Sequence, residues 1–340
     1  MKRGNMQYTK LGASGLDVSR ICLGAMGFGK PGNDMYPWAV SEEDSQQVVK
    51  TALDLGINFF DTANVYSHGD SERYLGHALK KYAKRDEIAV ATKVFFTPSD
   101  RPNQRGLSRK AIMHQIDQSL ERLGMDYVDL YIIHRWDYFT PIEETMEALH
   151  DLVKAGKVRY LGASAMYAWQ FEKAQFVAAS HGWTPFVSMQ SHMNLLYREE
   201  EREMVPLCQD ENIAITPYSP LASGRLTREW GADTERFQSD QVAKGKYDKT
   251  QQQDMAIVKR VEQLSKRYEV PMVQVALAWL LAKPQVVAPI IGAHKSEHLR
   301  SAVDALNLSL TPEDMAFLEE PYVPHELVGP FSPGETEIIK

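Results

Sequence analysis

Cysteine is scarce in this sequence: among 340 residues there are two, Cys22 and Cys208, far apart and in no C-x-x-C or other metal-ligand spacing. That excludes a disulfide framework and a thiolate zinc site, so reduced thiols and no metal are the expectation. Long apolar runs are missing as well. No uninterrupted stretch approaches the roughly 18 apolar residues of a membrane-spanning helix. The opening MKRGNMQYTKLG has two early basic residues with no apolar core behind them, so it does not read as a secretory signal. Nor is there an excess of positive charge: a net charge of −7 and a pI near 5.8 argue against nucleic acid or an acidic membrane surface as partner. The expectation is a cytoplasmic protein of enzyme size. A dinucleotide-binding turn of the Rossmann type is absent too. The glycines Gly24, Gly27 and Gly29 run G-x-x-G-x-G, and Lys30-Pro31-Gly32 follows where a helix should start, so this stretch reads as a flexible loop over a pocket.

What is present is alternation. Strand-like runs begin near Ile21, Phe59, Ile88, Val128, Val158, Phe186, Ala214 and Val287, and helical patterns separate each from the next. Eight strand–helix units predict an α/β fold, a closed (β/α)8 TIM barrel in a single domain over residues 1–340, with active residues on the loops after the strands. Ahead of it, TKLGASGLDVS suggests a β-hairpin that plugs one end. Ser41 followed by Glu42-Glu43-Asp44 starts a helix with an acidic first turn. Thr140-Pro141-Ile142-Glu143 offers a capping hydroxyl and a first-turn proline, and Gly156 ends that helix. The interval between Ala214 and Val287 is longer than the others. It holds a polar stretch, Ser223 to Thr250, long enough to be functional, then extra C-terminal helices at 251–268 and 271–282. A last helix is capped by Thr311-Pro312-Glu313 and leads into a proline-broken tail that lies on the surface or folds back over the pocket.

The chemistry concentrates where these strands stop. In GINFFDTANVYSHGDSERYLG an apolar strand ends in Asp61, and Tyr66 follows five residues later. Taken alone, these two read as well as a turn carboxylate and a half-buried aromatic. Lys93 closes IAVAT in phase with Ala89 and Ala91, and His134 closes VDLYII in phase with Val128, Leu130 and Ile132. Alternation points both inward if the sheet is closed. An inward lysine and histidine are costly unless paired, which marks a functional cluster. Asp61 is the natural partner of Lys93. A phenol beside an ammonium has its pKa drawn down, so Tyr66 is expected to act as a general acid near neutral pH while His134 polarises the oxygen that takes the proton.

Those residues, in that order on those strand ends, resemble the aldo-keto reductases, and the resemblance covers nearly the whole chain. FFDTANVYSHGDSERYLGHAL and MDYVDLYIIHRWD are similar to the family's two motifs, and PIIGAHKSEHL to the segment that grips the cofactor's adenosine end. YSPLASGRLT resembles the branch that includes potassium-channel β-subunits and many bacterial reductases, and the string as a whole resembles bacterial members of that branch. The resemblance implies reduction of aldehydes and ketones by NADPH, with Asp61, Tyr66, Lys93 and His134 as the catalytic set and Tyr66 as proton donor. It implies Ser164 and Gln190 at the nicotinamide carboxamide, Tyr218 stacked on the nicotinamide ring, and Ser219, Pro220, Leu221, Gly224 and Arg225 along the pyrophosphate. Gly24, Met26, Asp61, Ile291, Gly292 and His298 complete the implied cofactor contacts. Four positions depart from the pattern: Ala165 replaces an asparagine that often follows the serine, and His298, with Ser301 and Ala302, replaces the usual adenine-holding set. His294 and Lys295, with Arg236 and Lys246 in the long loop as a second source of charge, favour NADPH over NADH.

Large aromatics border these strand ends. Phe28, Phe95 and Trp136, with Phe96 and Tyr138, are expected to line the substrate site and to favour an apolar or aromatic carbonyl compound. Arg135 has two readings, a grip on a substrate carboxylate or phosphate and a pairing with Asp137 or another surface acid. The alternative function is a cofactor-binding redox sensor with weak reductase activity, and an isomerase or lyase on the same barrel is a third class.

Overall fold

The structure is a computed structural model and describes residues 6–97, 99, 101–229 and 240–332. A hairpin, β1 (Tyr8–Lys10) and β2 (Asp17–Ser19), precedes eight parallel strands: β3 (Cys22–Gly24), β4 (Phe59–Asp61), β5 (Ala89–Val94), β6 (Val128–Ile133), β7 (Val158–Ser164), β8 (Phe186–Gln190), β9 (Ala214–Ile215) and β10 (Ile290–Gly292). The helices are α1 (Glu42–Asp54), α2 (Asp70–Tyr82), α3 (Arg109–Leu123), α4 (Ile142–Lys154), α5 (Ala168–His181) and α6 (Met204–Asp210). They continue as α7 (Gln241–Tyr247), α8 (Gln251–Tyr268), α9 (Met272–Leu281), α10 (Ser296–Asp304) and α11 (Pro312–Glu319). Among the described residues, no helix is long and apolar enough to cross a membrane.

The strands run in the order β10-β3-β4-β5-β6-β7-β8-β9, every pairing parallel. The ring closes between β9 and the segment before β10: Ile215 N donates to Gln285 O (2.8 Å), Val287 N to Ile215 O (2.9 Å) and Ile290 N to Pro217 O (2.9 Å). The eighth run that begins at Val287 is therefore split. Its first residues complete the pairing of β9, and only Ile290–Gly292 pair with β3. The result is the (β/α)8 barrel that the alternation predicts.

Period-two alternation sorts the side chains into two cores. The inner one joins Cys22, Phe59, Ala89, Ala91, Leu130, Ile132, Ala214 and Ile290, the outer one lies between strands and helices and contains Phe60, Val90, Tyr131 and Ile133. Lys93 and His134 extend the inner set, as their phase predicts, although Val128 belongs to the outer one. The hairpin seals the end away from the strand C-termini. Leu11 and Val18 join the inner core, and a Cβ on Gly12 (φ +57) would lie 2.5 Å from Val187 O and 2.8 Å from Ala214 N, so only glycine fits beneath the barrel.

Several local expectations change. Ser41 does cap α1, accepting from Asp44 N, but the Thr140 hydroxyl donates to Asp137 Oδ2 (2.8 Å) and α4 starts without a side-chain cap. The glycine-rich loop after β3 is pinned, with Val40 N donating to Gly27 O (2.8 Å) and Gly29 N to Val40 O (3.1 Å). Phe28 is accordingly swallowed by the outer core, with no exposed surface, and is not part of a substrate rim. The polar stretch from Ser223 contains a short helix, α7, that buries Tyr247 completely. Arg236 lies outside the described residues. The tail folds back over the mouth: Tyr138 Oη donates to Phe331 O (2.8 Å), and Val328 N donates to Tyr197 Oη (2.9 Å).

Candidate active site

Parallel register sets the site. Gly292, Gly24 and Asp61 stand side by side on β10, β3 and β4, and Ser164 lies opposite Gln190 on β7 and β8. Lys93 is fully enclosed on β5, and its Nζ donates to Asp61 Oδ1 (2.5 Å) and to Thr62 O (2.8 Å), with Tyr66 Oη at 3.5 Å. The second oxygen of Asp61 accepts from Gln190 Nε2 (2.9 Å), a link across the barrel interior that no motif spacing reveals. Tyr66 and His134 meet edge to face, 5.9 Å between ring centres, and His134 N is tied to Val94 O (2.8 Å). The structure thus gathers Asp61, Tyr66, Lys93 and His134 at one mouth.

Electrostatics correct one expectation. Burial, and then the Asp61 carboxylate, push the Tyr66 phenol well above its ordinary pKa, with the Arg135 charge opposing the rise. The physical reason is that burial penalises the phenolate by more than the neighbouring ammonium, itself shared with Asp61, stabilises it. His134 is held well below its ordinary pKa by burial, then by the charges of Arg135 and Lys93, so it is a neutral imidazole at neutral pH. Its Nδ1 is buried without a partner among the described residues.

The turn carrying Tyr66 is strained. Ser67 (φ 47) and His68 (φ 54) are left-handed, and Gly29 abuts them: a Cβ there would lie 2.3 Å from Ser67 Oγ. Asn64 Nδ2, between Asp61 and Tyr66, donates to Phe96 O (2.7 Å) and ties the next loop to this one.

The residues expected at a dinucleotide spread along β7 to β10. Ser164 Oγ donates to Gln190 O (2.9 Å), and with its Nε2 on Asp61, Gln190 keeps Oε1 as an acceptor. Tyr218 is half-buried and backed by His192, with ring centres 5.1 Å apart and planes 11° from parallel. Beyond it Ser219 (φ 56), Ala222 (φ 48), Ser223 (φ 54) and Gly224 (φ 93) are left-handed, with Pro220 buried and Leu221 packed on the core between them. Asn194 Nδ2 holds Ser219 O (2.9 Å) and Tyr247 Oη donates to Ser219 Oγ (3.2 Å). Ile291 is buried, Met26 half-buried, and Gly292, Lys295 and His298 exposed around the start of α10. His294 stacks on Trp38 (5.2 Å). Two charges stand elsewhere than expected. Arg225 is committed to Asp248 (2.7 Å), and Lys246 Nζ lies 4.7 Å over the Tyr218 ring, at the end assigned to nicotinamide rather than to a 2′-phosphate. Burial, then the Arg135 charge, brings Lys246 down to about 8.

The aromatic border differs in part from the one expected. Phe95 and Trp136 are buried, Trp136 against Trp169, while Phe96 stands edge-on to His134 (5.1 Å). Sequence reasoning missed Tyr36, edge-on to Tyr66 at 6.2 Å, and Phe331, 6.2 Å from Phe96. An aromatic inside a glycine- and proline-rich stretch is the signal each offered. Arg135 does not pair with Asp137, whose oxygens accept from Leu107 N, Phe139 N and the Thr140 hydroxyl.

With this geometry in hand, a model of the aldo/keto reductase family matches residues 20–322. The chain belongs to the aldo/keto reductase family. It is an enzyme, an oxidoreductase, and its family supports carbonyl reduction. The versiconal hemiacetal acetate reductase of Aspergillus parasiticus is 41% identical over 350 residues, covering 97% of this chain and all of that one. A putative aryl-alcohol dehydrogenase of Schizosaccharomyces pombe is 42% identical over 345 residues, covering 95% and 97%. One of Saccharomyces cerevisiae is 40% identical over 342 residues, covering 94% and 98%. These relatives are fungal, and none of them is a channel subunit or a bacterial reductase, so they do not point to the bacterial, channel-related branch that YSPLASGRLT suggests.

Proposed function

We propose that this aldo/keto reductase converts aldehydes and ketones, aromatic ones foremost, to alcohols with NADPH, and that Tyr66 gives the proton. One observation carries the reading: a fully enclosed lysine, clasped by a carboxylate, stands 3.5 Å from a phenol whose ring meets a neutral imidazole at the mouth of a barrel. The residues present suit a nicotinamide dinucleotide. Ser164 and the free Oε1 of Gln190 match a carboxamide, Tyr218 offers a ring supported from behind, and the left-handed residues Ser219, Ala222, Ser223 and Gly224 suit a backbone approach to a pyrophosphate. Exposed Lys295 and His298 at the first turn of α10 suit a 2′-phosphate, which favours NADPH over NADH. When bound, the cofactor supplies hydride to the carbonyl carbon.

The side chains divide the remaining work. Tyr66 stays protonated throughout the neutral range because its pKa is raised, so it is always a donor and never a base in the resting enzyme. His134, kept neutral, donates to the carbonyl oxygen and holds it beside Tyr66 without bringing a rival acidic proton. As Tyr66 releases its proton, the Lys93 ammonium faces the new phenolate and offsets its charge, while Asp61 and Gln190 hold that ammonium in place. Solvent then restores the phenol. The relatives named for aryl alcohols, together with Phe96 and Phe331 at the mouth, support an aromatic carbonyl compound.

The test is turnover of benzaldehyde, followed by the absorbance of reduced nicotinamide, for the wild type and Tyr66→Phe. Removing a general acid lowers kcat by about 100- to 10,000-fold, and unchanged turnover rejects the mechanism. Dissociation constants for the two cofactors test the preference, and a tighter one for NADH reverses it.

A further inference from the structure

Arg135 is a charged group at the mouth to which the proposed reaction gives no task. Its guanidinium is flanked by Phe96 and Phe331, with Cζ 5.7 and 5.4 Å from the ring centres, and its Nη1 donates to His134 O (2.6 Å). It makes no other hydrogen bond among the described residues, and Nε is buried without a partner. No carboxylate of the described residues pairs with it, whereas Arg85, Arg122, Arg198, Arg225 and Arg260 each have one. A half-buried cation kept without a counter-ion is costly, as is a buried donor left unmade. The donors left free are the buried Nε and those of Nη2, so a carboxylate that reaches Nη2 meets a charge-assisted donor with a second unmade one beside it. The two rings, 85° apart in orientation, border the guanidinium on two sides and keep the charge weakly screened.

We propose that Arg135 binds a carboxylate carried by the substrate, so that the preferred compounds are aromatic aldehydes or ketones bearing an acid group across the ring from the carbonyl. This rests on the reductase reading above. The spacing follows from the stack: Phe96 is edge-on to His134 (5.1 Å), and His134 is edge-on to Tyr66 (5.9 Å), so a substrate with its carbonyl at Tyr66 and His134 extends past Phe96 toward the guanidinium. Lys246, over the ring of Tyr218, adds a second positive charge to the same mouth.

The experiment compares 4-formylbenzoate with its methyl ester, which keeps the shape and removes the charge. In the wild type, kcat/KM for the acid should exceed that for the ester by about tenfold or more, as a charge-assisted pair implies. Arg135→Leu should lower that ratio by a similar factor, and Arg135→Lys should retain part of it because the charge stays while the planar guanidinium is lost. A wild-type ratio at or below one overturns the inference, whether or not the leucine variant folds. So does a ratio in Arg135→Leu within about twofold of the wild type. A rise in the KM for NADPH with the ratio unaltered assigns Arg135 to the cofactor's phosphates and overturns it as well. Turnover of neither compound by the wild type overturns the reductase reading itself, and this inference with it, whereas ester turnover without preference for the acid overturns this inference alone.

Discussion

The two ends of this barrel are built from the same eight strands and solve opposite problems. At the closed end, Leu11 and Val18 of the hairpin meet Cys22, Phe59, Ala89 and Ala214 in a wholly apolar layer, and the turn at Gly12 sits against backbone. At the open end the same inward-facing positions carry Gly24, Asp61, Lys93, His134 and Gln190, and the loops beyond contain Ser67, His68, Ala165, Ser219, Ala222 and Ser223 in left-handed conformations. Burial stabilises the first layer without specifying direction. The second is held by directional bonds between charged groups and by backbone forced into rare geometry, and the apolar end offsets its cost.

The comparison breaks most readily at Asp61. Replacing it by leucine leaves Lys93 enclosed without its carboxylate and frees Gln190 Nε2 as well, so a loss of about 3–5 kcal/mol is expected in a denaturant titration. The double variant with Lys93→Met should recover much of it, because removing both charges is far cheaper than removing one. A single variant as stable as the wild type would show that the pair does not hold the open end. At the closed end, Leu11→Ala removes a completely buried side chain from the plug and is expected to cost about 2–5 kcal/mol, yet to leave the KM for a carbonyl substrate unchanged.

Acid separates the ends next. His134 and His192 are both held well below their ordinary pKa by burial, so the folded state resists the protons that the unfolded chain takes up below about 6.5. For groups lowered in this way the unfolded chain carries more protons, and stability falls as pH falls. The expected slope is about 1.4 kcal/mol per pH unit for each histidine, starting near pH 6.5 and continuing to the depressed folded values. His192→Gln should shed one histidine's share, measured as the midpoint of thermal unfolding at pH 7 and pH 5, and an unchanged pH dependence would remove His192 from the account. The Tyr66 phenol works in the other direction: raised in the folded state, its contribution is complete below about 10 and is lost above.

How much of each end is legible in the sequence follows from the range of the interactions. Strand ends, the hairpin and the inward phase of Lys93 and His134 rest on alternation and turn chemistry within a few residues, and they read correctly. The direction of the Tyr66 shift did not, because it depends on how completely Asp61 neutralises Lys93 and on the depth of burial, neither of which spacing encodes. The bond from Gln190 to Asp61 joins residues 129 apart in sequence, and Phe331 reaches the mouth through its backbone carbonyl, an atom every residue carries. Phe28 looked like rim because it follows a strand, and the backbone bonds that turn it into the core cannot be inferred from side-chain types. Helix α7 was hidden by its polar composition, and its buried Tyr247 and Ala243 anchor it.

The smallest test applies one substitution at both ends. Ala165 follows β7 with φ 44, a conformation that costs an alanine about 1 kcal/mol and that glycine adopts freely. Its Cβ also faces the tail, since a Cβ on Gly329 would lie 3.5 Å away. Ala165→Gly should therefore raise stability by about 0.5–1 kcal/mol, partly offset by the greater freedom of the unfolded chain. Ala89→Gly, in an extended and fully buried strand position of the closed-end layer, should lower it by about the same amount or more, since it loses a packed methyl along with backbone restriction. Opposite signs from one chemical change would show that backbone strain is confined to the mouth. Equal signs would mean that the left-handed geometry at Ala165 carries no energetic cost, and the contrast between the two ends would then rest on the charged cluster alone.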